Sequence, residues 1–156
     1  MTQALALARE AADLGEVPVG AVLVVNGKVV GKGFNRREVD RDPLSHAELR
    51  AISRGAETLE KWRLSDATLY VTLEPCTMCA GALIQARLKR LVFGALDPKA
   101  GAVGSLYNLL ADPRHNHVVE VTSGVLEAEC GKVLKDFFVA LRQRAPSAPG
   151  RRSPRS

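Results

Sequence analysis

No stretch of this 156-residue chain approaches the roughly 18 consecutive apolar residues of a membrane helix. The first residues, Met1 to Ala12, lack a charged segment ahead of an apolar one, so no secretory signal is expected. Cysteine is scarce: there are three, and two of them, Cys76 and Cys79, share one CxxC. That excludes a disulfide framework and fits a reducing cytoplasm. Internal repeats and a second domain are also missing. The last twelve residues, Ala145 to Ser156, contain Arg151, Arg152 and Arg155 but no acidic residue.

What remains is ordinary for a globular domain, with 46% hydrophobic and 25% charged residues. The length suits one domain with a substantial core. We expect a folded domain over 1–144 and a disordered basic tail over 145–156, rich in Pro, Ser, Gly and Arg. The formal charge of +5 includes the tail's three arginines, so the domain itself is only mildly basic. The tail reads as a solvated terminus or as a nonspecific arm for RNA phosphates.

Periodicity predicts helices over Thr2–Leu14, Ser45–Leu59, Thr77–Leu88 and Leu126–Arg144, with a short one over Leu106–Leu110. Strands are predicted over Val19–Val25, Lys28–Phe34, Ala67–Leu73, Arg90–Gly94 and Val118–Val121. Asn26-Gly27 joins the first two as a tight hairpin. Ser45 or Asp42 is available to cap the second helix. After the hairpin, strands alternate with helices, so the later strands should be parallel and covered on both faces. The fold class is therefore α/β: a three-layer α/β/α arrangement around a central five-stranded mixed sheet.

The chemistry concentrates in two short motifs, His46-Ala47-Glu48 and Pro75-Cys76-Thr77-Met78-Cys79. His46, Cys76 and Cys79 are three soft metal ligands, and Glu48 is a carboxylate left over. Three protein ligands with an open fourth position, plus a base, is the inventory of a catalytic zinc site. A structural site would close with a fourth ligand, and Cys130 has no second half-site near it. Cys76 and Cys79, three apart, share a face in the first turn of a helix. His46 and Glu48, two apart, serve one metal only if they occupy the opening turn of theirs. Two helix N-termini should then converge on one ion. Taken singly, a CxxC also serves as a redox pair, and a histidine also serves as a capped core residue. Jointly, each motif opening a helix, they point to zinc.

The chain resembles the cytidine/deoxycytidylate deaminase superfamily and, within it, the bacterial tRNA-specific adenosine deaminases. The zinc motifs carry the first resemblance. The second rests on Glu16 to Val24, Asp66 to Ala82, Val92 to Leu106, Asn116-His117 and Asp136 to Phe138. The resemblance implies a cytidine deaminase-like fold and one Zn2+ per chain. It also implies a cytoplasmic homodimer that hydrolyses adenosine to inosine at the wobble position of a tRNA anticodon stem-loop. His46, Cys76 and Cys79 would hold the zinc, and Glu48 would shuttle protons for the activated water. Asn35 would hydrogen-bond the flipped base, and Asp97 and Lys99 would contact ribose and phosphate. Ala47, with Val19 and Leu73, would wall the base, and Phe138 would contact RNA if it faces outward while Phe137 faces the core. The same residues also have plainer readings: Asn35 as a strand-end cap, Asp97-Pro98 as turn chemistry. Arg36-Arg37-Glu38 departs from the Arg-Pro-Ile common at that place in relatives. The other enzymatic reading is a zinc-dependent deaminase of a free nucleobase or nucleoside such as guanine, cytidine or deoxycytidylate. His115 and His117 read as loop or packing residues, Trp62 as packing after the second helix, and Cys130 as a small buried apolar residue.

Overall fold

The computed structural model describes residues 1–145. The expected tail over 145–156 lies, beyond Ala145, outside the described residues. The chain opens with helix α1 (Thr2–Asp13), followed by the hairpin β1 (Gly20–Val25) and β2 (Lys28–Phe34). Next come a four-residue helix α2 (Arg37–Asp40), helix α3 (Ala47–Leu59), strand β3 (Ala67–Leu73) and helix α4 (Thr77–Gln85). Strand β4 (Arg90–Ala95), a 3₁₀ turn (Leu109–Ala111), strand β5 (Glu120–Thr122) and helix α5 (Glu127–Arg144) complete it.

The sheet order is β2-β1-β3-β4-β5. β1 pairs antiparallel with β2 and β3, while β3, β4 and β5 run parallel. This is the expected mixed five-stranded sheet. Asn26 and Gly27 both take positive φ, 49° and 74°, as a two-residue turn matched to strand twist requires. Alternation along β1 splits its side chains between two cores. Ala21, Leu23 and Val25 join Ala47 and Ala51 of α3 and Ala80, Leu83 and Ile84 of α4. Val22 instead meets Ala4 and Leu7 of α1. Helix α5 closes the α1 side, where Cys130 packs with Leu5.

Helix α3 approaches the sheet unusually closely. Its buried stripe is Ala47, Glu48, Ala51 and Gly55, nearly all small. Opposite lie Gly31 and Gly33 of β2. A Cβ at Gly31 would stand 2.2 Å from the Ala51 carbonyl oxygen and 2.7 Å from the Gly55 nitrogen. Small residues on both sides thus set the seat of α3, and through it the position of the helix start. The ion pairs do less: Lys132–Asp136 and Arg114–Asp112 are solvent-exposed. Such pairs contribute at most about 1 kcal/mol, against about 1.5–3 kcal/mol for each fully buried large side chain such as Phe93 or Leu23.

Several boundaries moved. Neither Ser45 nor Asp42 caps α3, whose N-cap is His46 with no side-chain capping bond. Ser45 Oγ instead donates to Asp40 Oδ2, and Asp42 Oδ1 accepts from the Leu44 N–H. Helix α4 stops at Gln85, not Leu88, because Arg87 turns left-handed at φ 58°. The short helix expected over Leu106–Leu110 is a 3₁₀ turn further along. The fifth strand begins at Glu120, not Val118. Helix α2 has no counterpart in the periodicity, since four residues are too few to carry one. Trp62 is 58% exposed and lies beside the Arg63 guanidinium, so it is not a packing residue.

If close approach sets α3, Gly31→Ala should lower the unfolding free energy by about 1–3 kcal/mol. Urea denaturation at fixed zinc concentration checks this, and an unchanged midpoint would refute it.

Candidate metal centre

Both sequence motifs fall at helix starts. His46 is the N-cap of α3, with φ −81° and ψ 151°. Cys76 is the N-cap of α4, with φ −73° and ψ 177°. Cys79 is then the third residue of α4 and Glu48 the second residue of α3. This resolves the two-residue spacing of His46 and Glu48. At an N-cap the backbone is still extended, so the side chain is directed differently from those inside the helix. Strand β3 delivers Cys76 from its C-terminal end, where parallel sheets carry their sites.

The ligand atoms of His46, Cys76 and Cys79 lie within 4.8 Å of one another. His46 Nδ1 is 3.7 Å from Cys76 Sγ and 3.5 Å from Cys79 Sγ. In tetrahedral zinc, with Zn–S about 2.3 Å and Zn–N about 2.0–2.1 Å, adjacent N and S ligands sit roughly 3.5 Å apart. The donor set and the spacing therefore both fit one zinc ion. Among the described residues no fourth His, Cys, Asp or Glu joins the group, which leaves a coordination position open.

In the protein groups alone, the crowded sulfurs and imidazole shift one another. Cys76 is held down to about 4, first by a hydrogen bond from the Cys79 thiol and then by His46, against the opposing pull of burial. Cys79 is pushed up, first by the neighbouring Cys76 sulfur and then by burial. His46 is raised, chiefly by its hydrogen bond to Cys76. The N-terminus of α4 adds its positive end beside both sulfurs. Glu48 is 4% exposed, and burial pushes its carboxyl up to about 7. A carboxyl near neutrality gives and takes protons with little bias, which is what a shuttle needs.

His46, Glu48 and Cys76 line one pocket of about 180 Å3. That is small beside the roughly 300–1,000 Å3 of drug-sized sites and suits a single ring system. Its walls include Val19, Ala47 and Leu73, together with Asn35, Arg37 and Asp97. Asn35 is nearly buried. Its Nδ2 donates to the Val17 carbonyl at 3.1 Å, and its Oδ1 accepts the Arg37 N–H at 3.3 Å. One N–H and one lone pair stay free for a ligand. Proline at position 37 could not make that second bond, so the Arg37 N–H helps to orient Asn35.

Asp97 is both turn former and pocket wall: its Oδ1 accepts from the Lys99 and Ala100 N–H groups, and the residue faces the cavity. Lys99 is exposed and outside the lining. Phe138 is 40% exposed and also outside it. Its neighbour Phe137 lines an adjoining pocket that shares Val17, Asn35 and Arg37 with the first. Phe138 thus faces outward, but Phe137 is half-buried and lines a cavity instead of joining the core. His117 Nε2 lies 2.6 Å from the Leu88 carbonyl oxygen, a packing contact, and Cys130 is fully buried.

Two buried acids escaped the sequence reading. Glu16 takes the Val39 N–H at 2.8 Å and so anchors α2. Glu74 sits directly before Pro75 and is 2% exposed. Burial pushes its carboxyl up, but the Ser105 hydroxyl and the Asp97, Ser105 and Val103 N–H groups prevail and leave it below its ordinary value. The only sequence signal was an acid at the end of an otherwise apolar strand.

An α/β/α sheet with a three-ligand centre and a buried carboxyl beside it defines a metal-dependent deaminase site. Consistent with this, the MafB19-like deaminase family model matches residues 1–142. Two similar curated proteins are tRNA-specific adenosine deaminases. That of Bacillus subtilis is 50% identical over 148 residues, covering 95% of this chain and 92% of its own. That of Haemophilus influenzae is 52% identical over 144 residues, covering 92% and 83%. A solved structure from work on A-to-I editing by tRNA:A34 deaminases superposes with a TM-score of 0.83. It is 46% identical, over 86% of this chain and 97% of its own. The chain belongs to the family of tRNA-specific adenosine deaminases. A guanine deaminase from Nitrosomonas europaea, 23% identical with a TM-score of 0.76 over 88% of this chain and 82% of its own, shares the fold alone.

Metal binding couples to stability here because the ligands come from two separate helices. A chelator should lower the melting temperature of the wild type and leave Cys76→Ala, already metal-free, unmoved. The stabilisation lost would be about 2.7 kcal/mol where free zinc stands at a hundred times its dissociation constant. Metal analysis with thermal melts checks both, and Cys76→Ala retaining one zinc per chain would refute the assignment.

Proposed function

We propose that this chain hydrolyses adenosine to inosine at the wobble position of a tRNA anticodon, releasing ammonia. The observation that carries the reading is the buried Glu48 beside the His46, Cys76 and Cys79 group, in a pocket sized for one base. Family membership supplies the substrate. His46, Cys76 and Cys79 would hold the zinc, which when bound lowers the pKa of a water towards about 7 and makes it nucleophilic at neutral pH.

The protein's own part runs through named groups. The target base leaves its stack and enters the pocket, walled by Val19, Ala47 and Leu73. Asn35 offers its free N–H and lone pair to the base. Glu48 takes a proton from the attacking water as the oxygen–C6 bond forms, and passes it to ring N1. It then carries the second proton to the amino group, so that the C6–N6 bond breaks with ammonia leaving. Asp97, in the pocket wall, would contact the ribose, and exposed Lys99 would offer a point charge to a phosphate. Phe138, exposed on α5, would stack on an unpaired neighbouring base.

The same reading takes the folded domain as 1–144 and the chain as a cytoplasmic homodimer. No described helix is long and apolar enough to cross a membrane. Leu106 and Tyr107, adjacent and 53% and 58% exposed, are the kind of surface a second copy would cover. Sedimentation measures the dimer directly, and a monomer at micromolar concentration would remove it from the reading.

The zinc-loaded protein should form inosine in a tRNA carrying adenosine at the wobble position. Glu48→Ala should reduce that rate by at least about 10²–10⁴-fold with zinc still near one per chain. Loss of zinc from Glu48→Ala would show that ligand and shuttle are not separate. Faster turnover of free guanine, cytidine or deoxycytidylate than of tRNA would transfer the activity to a small-molecule substrate.

A further inference from the structure

Glu74 bridges the metal centre and the segment that walls the pocket. It stands between the end of β3 and the Pro75-Cys76 step. Its carboxylate receives four hydrogen bonds, all from one loop. Oε1 accepts the Asp97 N–H at 3.1 Å and the Ser105 hydroxyl. Oε2 accepts the Val103 N–H and the Ser105 N–H, each at 3.1 Å. Its backbone N–H donates to the Ala95 carbonyl at 2.8 Å. The loop closes on Glu74 from the far side as well. A Cβ at Gly101 would lie 2.2 Å from Oε2 and 2.5 Å from Oε1, so only glycine admits the carboxylate. Gly101 also bridges to Cys76, and the Ala102 N–H donates to the Pro75 carbonyl at 2.9 Å.

Burying a carboxylate costs several kcal/mol before its bonds are counted, and a well-packed apolar residue often does as well for stability. Four charge-assisted donors offset that cost here. All four belong to the segment 97–105, which carries Asp97 and Ala100 of the pocket wall. Glu74 itself borders the pocket, but all four of its carboxylate bonds go to this segment, and it is outside the metal group.

We propose that Glu74 is a positioning residue that pre-assembles the 97–105 wall of the substrate pocket, so that the nucleotide binds a loop already in place. The inference rests on the adenosine-deaminase reading for its assay, though not for its geometry. Without the carboxylate, the loop samples its binding conformation only a fraction of the time. Apparent affinity falls by that fraction, while the chemistry in the bound state is spared. A residue with a merely structural role would instead degrade metal content, kcat and KM together.

The test compares wild type, Glu74→Gln, Gly101→Ala and their double variant as zinc-loaded protein. Glu74→Gln turns an NH2 towards N–H donors, and Gly101→Ala pushes a methyl onto the same carboxylate from the loop side. The expected result for each is zinc near one per chain, KM for tRNA raised about tenfold and kcat within about threefold. Amide hydrogen exchange should quicken across 97–105 and stay unchanged in α3 and α4. The double variant should add little to either single one. Ser105→Ala, which deletes one hydroxyl at a half-exposed position, guards against misfolding and should raise KM by about two- to fivefold with the same exchange signature. A fall in kcat at constant KM, loss of zinc, or unaltered exchange across 97–105 would overturn the proposal. A wild type that makes no inosine would overturn the adenosine reading instead, and the exchange data would still decide whether Glu74 orders the loop.

Discussion

Two helix N-termini meet at one point, and the rest of this structure can be understood as the means of bringing them there. His46 caps α3 and Cys76 caps α4, with Cys79 one turn further along. Each element comes from a different part of the sheet, thirty residues apart in the chain. Neither motif alone supplies three ligands, and neither helix start is closed by a side-chain capping bond. Ligand geometry therefore depends on tertiary packing: on how closely α3 lies against β2 and where β3 ends beside β4.

That dependence explains the choice of small residues. Ala47, Ala51 and Gly55 on α3 face Gly31 and Gly33 on β2, and the backbones nearly touch. Larger residues would bury more apolar area, at about 25 cal/mol per Å2, but would lift the helix and its ligand from the site. Proximity here takes precedence over area. The buried acids obey a similar logic. Glu16 and Glu74 each cost desolvation, and each holds a backbone segment that borders the pocket: residues 37–40 in one case, 97–105 in the other. The pocket is thus supported from two sides by carboxylates bonded to the segments of its wall.

Much of the site was legible in the residues. Metal ligation needs particular atoms, and His46, Cys76 and Cys79 supply them in a spacing that leaves Glu48 free beside them. The helix-start argument also survived, because a two-residue separation leaves few geometries. Strand pairing followed from the hairpin and the later alternation. What escaped was anything whose partner is distant in sequence. Glu74 reads as a stray acid until Ser105 and Val103 are folded onto it. The Arg37 N–H orienting Asn35 is invisible, because a backbone donor carries no sequence signature. Ser45 looked like a cap and instead joins Asp40, since a hydroxyl takes whichever acceptor the fold presents.

The amino-acid sequence by itself determined which atoms can hold a metal, which carboxyl accompanies them, and a five-stranded α/β order. These are properties of residue type and short spacing, and they do not depend on how the chain closes. Tertiary structure alone brought the ligand atoms of the two motifs within 4.8 Å of one another and buried Glu48 enough to sit near neutrality. It also decided that Phe137, and not Phe138, faces a cavity, and that Glu74 grips the pocket wall. The physical reason is distance: burial and hydrogen-bond partnership are set by neighbours from other segments, and only the packed sheet with its two helix layers brings those neighbours together.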